Sequence, residues 1–168
     1  MMKRLVALLL VFGMASAANA VYLQVDGVAT DIIEIAEGTT SVITVVGEDG
    51  SSWLGYLIIE EGGAGTLSDV TPLDAAGDWA SAESYEEAGW GVGYQLTAGM
   101  SPGSSMPISA GSQFNVNYSG GTQGQTARIS LFIDDYTTPV ALVDVSIIPE
   151  PITIALLGFG ALFIRRRK

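Results

Sequence analysis

The chain has 168 residues, enough for one domain. It contains no Cys and no His, which excludes disulfides, thiolate metal centres, the usual zinc sites and Ser-His-Asp or Cys-His nucleophiles. Seventeen acids fall in 21–148 against the single cation Arg128, a net −16. The other six basic residues are Lys3, Arg4, Arg165, Arg166, Arg167 and Lys168. A field of that sign repels nucleic acid and anionic membranes and favours solubility.

The chain opens with the three parts of an export signal. Lys3 and Arg4 form a positive flank, Leu5 to Met14 an apolar run, and Ala18-Asn19-Ala20 a small-residue cleavage site. Residues 1–20 are therefore expected to engage the Sec export machinery and to be removed by signal peptidase, leaving Val21 as the first mature residue.

From Val21 the pattern is of short strands punctuated by turns. Val21–Val25 closes at Asp26-Gly27, and Thr30–Ala36 closes at Glu37-Gly38. The β-branched run Ser41–Gly47 ends at Glu48-Asp49-Gly50, and Ser52–Glu60 carries Trp53, Tyr56, Ile58 and Ile59. The stretch 61–89 is irregular. Within it Ser81–Ala88 is expected to make one or two helical turns, with Ser81 as N-cap and Gly89 as stop. Trp90–Thr97 returns to strand, weakened by Gly91 and Gly93. Met106–Ser109 precedes a turn at Ala110-Gly111.

Ser112–Tyr118 alternates, with Phe114, Val116 and Tyr118 on one face and Gln113, Asn115 and Asn117 on the other. Thr126–Asp134 turns Ala127, Ile129, Leu131 and Ile133 to one side, and Val140–Ile148 does so with Val143, Val145 and Ile147. Eight or nine such strands predict an all-β domain over 21–148, an antiparallel β-sandwich. The architecture resembles Ig-like or cohesin-like modules.

The tail reads Pro149-Glu150-Pro151, an apolar run Ile152 to Ile164, then Arg165, Arg166, Arg167 and Lys168. As helix, the 13-residue run spans about 20 Å at 1.5 Å per residue, short of the ~30 Å bilayer core. The basic end predicts a cytoplasmic stop, which places the acidic domain outside. The prolines disfavour helix and keep the backbone before the span open to a protease. Pro149, Glu150 and Pro151, the run with Gly158 and Gly160, and the arginine cluster together resemble the PEP-CTERM sorting signal of Gram-negative bacteria, over 149–168. That resemblance implies a transient transmembrane helix and processing near the motif by an exosortase, an integral-membrane Cys protease-transpeptidase. It also implies a place at the cell surface or in an exopolysaccharide or biofilm matrix.

The mature region holds little that could drive catalysis. It has no His, Cys or Lys, so carboxylates, hydroxyls and Arg128 remain. Glu60-Glu61, Glu86-Glu87 and Asp134-Asp135 are acid pairs of the kind glycoside hydrolysis uses, but neighbours on a strand point to opposite faces. Calcium, which takes oxygen ligands, has loop candidates in Glu48-Asp49-Gly50, in Asp74 with Asp78, and in Asp134-Asp135, none in the D-x-D-x-D-G pattern. Trp53, Trp79, Trp90, Tyr56, Tyr85 and Tyr94 crowd the middle third, where rings either fill a core or stack on a ligand such as polysaccharide. Trp53 and Tyr56, three apart, must face opposite ways. Trp79 and Tyr85 are the candidates for exposure and ligand contact. Arg128 is expected to pair with a carboxylate. The expected function is non-enzymatic: a structural or adhesive exported protein, with a carbohydrate- or protein-binding module as the alternative and a small hydrolase as a third reading.

Overall fold

The computed structural model describes residues 21–48, 50, 52–101, 104–133 and 136–150. The export signal with Ala18 and Ala20, Pro151, the apolar run, Arg165, Arg166, Arg167 and Lys168, and the acids Asp49, Asp134 and Asp135 lie outside the described residues.

Thirteen strands are described, in chain order β1 (Tyr22–Val25), β2 (Val28–Ala29), β3 (Ile32–Ala36), β4 (Thr40–Gly47), β5 (Trp53–Glu60), β6 (Thr66–Pro72), β7 (Ser81–Glu87), β8 (Gly91–Ala98), β9 (Met100–Ser101), β10 (Ser104–Ser105), β11 (Gly111–Ser119), β12 (Thr126–Ile133) and β13 (Ala141–Ile148). One sheet runs β2-β1-β4-β11-β6 and the other β3-β13-β12-β5-β8-β7, with β9 and β10 as a separate hairpin. Pairing is antiparallel except between β3 and β13. The protein is thus an all-β sandwich of two sheets. Among the described residues the only helix is the single 3-10 turn Asp74–Ala76, and none is long and apolar enough to cross a membrane.

Period-two alternation builds the core. Leu23, Val25, Ile43, Val45, Phe114, Val116 and Tyr118 from one sheet meet Trp53, Leu57, Leu96, Ile129, Leu131, Val143 and Val145 from the other. The turn after β1 shows how residue choice sets a hairpin. Asp26 and Gly27 both take positive φ, 50° and 80°, as a two-residue hairpin turn requires. The Asp26 carboxylate also accepts from the Val42 N–H at 2.9 Å.

Four expectations need correction. Ser81–Ala88 is not helical: Ser81–Glu87 is the edge strand β7, paired with β8 along its whole length, and that pairing overrides the helical preference of its Ala and Glu residues. Within the irregular stretch, Thr66–Pro72 forms β6 on the edge of the other sheet, bulged opposite Asn115–Asn117 with Asp69 at φ 51°. Met106–Ser109 contributes only an isolated bridge, Ile108 to Gly50.

Gln113 departs from the polar face assigned to it. A register shift between Ser112 and Phe114 turns it inward, where it is fully buried and its Oε1 accepts from Trp53 Nε1 at 3.0 Å. The remaining inward positions of β11, β12 and β13 are those the alternation predicted.

Candidate functional site

The outward face of the six-stranded sheet is not the polar surface that alternation leads one to expect. On β5 the residues facing away from the core are Leu54, Tyr56, Ile58 and Glu60, and Ile58 is fully buried although it faces outward. Five aromatic rings crowd this face. Tyr56 lies centroid to centroid 4.5 Å from Tyr85, 5.3 Å from Trp90 and 5.2 Å from Tyr136. Trp90 lies 5.4 Å from Tyr85, 4.9 Å from Phe132 and 6.4 Å from Tyr136.

The register explains how they meet. Tyr56 sits opposite Phe132 on β12, and Tyr85 sits opposite Gly93 on β8. With no side chain at Gly93, Tyr85 reaches across to Tyr56. A Cβ at Gly93 would also run into the Leu57 carbonyl oxygen, so β8 approaches β5 closely there. The glycines that weaken the strand pattern therefore make room for the rings. Trp90 is delivered by the β7–β8 turn, which is closed by its N–H donating to the Glu87 carbonyl at 3.1 Å.

The rings meet mostly edge to face, with interplanar angles from 52° to 90°. They form a knobbed apolar surface, with Phe132 buried, Tyr56, Tyr85 and Trp90 half-buried, and Tyr136 exposed. Polar groups border it. The Tyr85 hydroxyl donates to the Glu87 carboxylate, which pushes the phenol pKa up to about 12. Ser130 Oγ donates to Glu60 Oε1 at 2.6 Å. Arg128 clamps Asp144 through two bonds, Nε to Oδ1 at 2.8 Å and Nη2 to Oδ2 at 3.2 Å, and this hydrogen bonding, helped by the guanidinium charge, holds the Asp144 carboxyl below the usual range. The carboxylate pairing expected of Arg128 is realised.

The sequence-derived candidates separate. Trp79 is 53% exposed on the turn before β7 and makes no ring contact with the cluster. Tyr85 is one of its five rings. Trp53 is a core residue facing away from Tyr56, as their spacing requires, and Tyr94 packs inward against the core. Phe132 and Tyr136, from the last third of the chain, are the members that sequence reasoning did not single out. The available signal was Phe132, an apolar residue at an outward position of a strand whose inward set is Ala127, Ile129, Leu131 and Ile133.

Glu60, Glu61, Glu86 and Glu87 line one open groove between the edges of β6 and β7. Among the described residues, no group of three or more acidic side chains converges to hold a cation. Pro149 follows β13 directly, and the Ile148 carbonyl accepts from the Glu37 N–H at 2.9 Å. Glu150 is exposed.

No protein-family model matches the chain, and no curated protein does. Solved structures share its fold. A cohesin module from a family 33 glycoside hydrolase of Clostridium perfringens is 16% identical, with a TM-score of 0.50 over 79% of this chain and 100% of that module. The sixth cohesin of Acetivibrio cellulolyticus scaffoldin B, solved in complex with a Cel5 dockerin variant, is 15% identical, with a TM-score of 0.50 over 77% of this chain and 98% of the other. The fold is therefore that of a cohesin-like β-sandwich.

Proposed function

We propose that this chain is a non-enzymatic, protein-binding module, exported and presented at the cell surface, with the aromatic face of β7, β8, β5 and β12 as its docking surface. The observation that carries the reading is the five-ring cluster on the outside of a sheet, where a sandwich with no partner would be polar. The cohesin-like fold supports it, since one fold relative was solved bound to a dockerin. Ring geometry favours protein over carbohydrate. Sugars stack on exposed ring faces, whereas rings inclined at 52–90° spend their faces on one another. Carbohydrate binding through the exposed Trp79 is the second reading.

The test immobilises the full chain beside its Tyr85→Ala and Tyr136→Ala variants and challenges each with envelope extract from the producing cells. A discrete protein retained by the wild type and released by both ring variants is the expected result. Retention of polysaccharide that is lost on Trp79→Ala would instead favour the carbohydrate reading.

The addressing is proposed on the sequence motifs: Sec export, removal of residues 1–20, transient membrane residence through the apolar tail, and exosortase processing near Pro149-Glu150-Pro151. With no spacer between β13 and Pro149, the domain would sit against the membrane until release. The intact mass of the native protein tests this. A species from Val21 to near Pro149 outside the membrane fraction is expected. One that keeps Arg165–Lys168 and sediments with membranes would make the tail a permanent anchor.

A further inference from the structure

The sandwich is open at one side. β6 and β7 are edge strands of the two sheets, and neither has a strand partner beyond it among the described residues. Between them lies an open groove of about 730 Å³. Val92 marks its floor. It belongs to the inward face of β8 with Leu96, which is fully buried, yet Val92 itself is 54% exposed. An apolar position that should be covered by the opposite sheet is bare because β6 stands away from it. Leu67 lines the β6 side. Ser84 and Glu86 of β7 share the Val92 face, since they pair with Tyr94 and Val92. Glu60, Glu61 and Glu87 complete an acidic rim.

We infer that this groove receives an extended, lysine- or arginine-bearing segment of a partner protein, added as a further strand along the free edge of β7. Three features select that occupant. An unpaired edge offers main-chain donors and acceptors to any extended chain. The bare Val92 and Leu67 reward an apolar side chain at alternate positions of the incoming strand. The four glutamates attract cations and repel a second copy of this domain, in which one Arg stands against seventeen acids over 21–148. The acids thus block self-pairing through β7 while admitting a basic strand. The groove adjoins the aromatic face and shares Tyr85, Glu87 and Glu60 with it. Glu61, Glu86, Val92 and Leu67 line the groove and are not part of the ring cluster, so changes at Glu61 and Glu86 test it independently of the ring variants.

The probe is a dye-labelled octapeptide of alternating valine and lysine, followed by fluorescence anisotropy on the full-length chain in a non-ionic detergent. Saturable binding is expected, weakened about tenfold by Glu61→Lys with Glu86→Lys. The remote reversals Asp31→Lys with Glu34→Lys, on the opposite edge of the sheet, should leave it unchanged. A peptide of equal charge interrupted by proline cannot complete a ladder and should not bind. All four glutamate and aspartate positions are exposed, so these variants are expected to fold, and a thermal melt by tryptophan fluorescence checks that they do. Absence of saturable binding overturns the proposal. So does equal weakening by the two pairs of reversals, or undiminished binding of the proline peptide, since either would reduce the effect to general charge attraction.

Discussion

Trp53 and Tyr56 stand three residues apart on β5 and live in different chemistries. Trp53 is buried between the sheets, edge-on to Phe114 at 5.7 Å, with its one polar atom bonded to Gln113. Tyr56 is half-buried outside, at the centre of rings supplied by β7, β12 and two turns. The inner cluster is closed on every side by a second sheet. The outer one is covered only by its own members. Aromatic density alone does not distinguish a core from a docking surface; whether a second layer covers the rings does.

Truncation should separate the two clusters most sharply. Phe114 is fully buried in the core. Phe114→Ala is expected to cost ~3–5 kcal/mol, from lost transfer energy and the cavity left behind. Tyr136, 45% exposed, rests on the outer cluster. Tyr136→Ala should cost under ~1 kcal/mol, near the range of surface changes. Paired chemical denaturation curves measure both. Comparable losses would mean that the outer rings are a second core and would remove the ground for calling them a docking face.

The next effect tests the Trp53–Gln113 contact inside the core. Gly47, the last residue of β4, has no room for a side chain, because a Cβ there would collide with the Gln113 amide. Gly47→Ala should therefore cost ~1–3 kcal/mol through overpacking. Gln113→Ala should cost ~1–3 kcal/mol by leaving the buried Trp53 N–H without an acceptor. The double variant should lose clearly less than the sum, since shortening Gln113 vacates the space that the new methyl needs. Strict additivity in a double-mutant cycle would show that the two residues do not share that space.

These cases also mark how far the sequence could be read. Val143, Val145 and Ile147 alternate cleanly, and their inward direction followed from period two. The sandwich was legible for the same reason. Gln113 was not, because one extra residue in a bulge reverses direction without leaving a compositional trace. β7 reads as helix because Ala82, Glu83, Glu86 and Glu87 carry helical preference, and the partner that overrules it, β8, is itself thinned by Gly91 and Gly93. The outer cluster gathers Tyr56, Tyr85, Trp90, Phe132 and Tyr136 from across eighty residues of chain. Tyr85 could be proposed from its neighbourhood in sequence. The company it keeps depends on a strand order that no local pattern encodes.

The finest distinction between inside and outside lies in two phenols whose pKa is raised for different reasons. Tyr118 is buried and donates to the Ala64 carbonyl at 2.9 Å; burial pushes its pKa above the ordinary value of 10.0. Tyr85 is held at about 12, chiefly by its bond to the Glu87 carboxylate. In both, folding favours the neutral phenol, so the contribution to stability is complete below pH 10 and is lost as pH rises through the raised values. The domain should accordingly weaken on the alkaline side, between about pH 10 and 12 for Tyr85. Glu87→Gln removes the carboxylate and leaves the core untouched. Tyrosinate absorbance followed against pH should then lose one late-ionising phenol, Tyr85, while that of Tyr118 stays late. If Glu87→Gln left the late phase whole, the Tyr85 shift would have to come from cover over the ring. The outer face would then be closed in the same sense as the core, and the contrast between Trp53 and Tyr56 would lose its meaning.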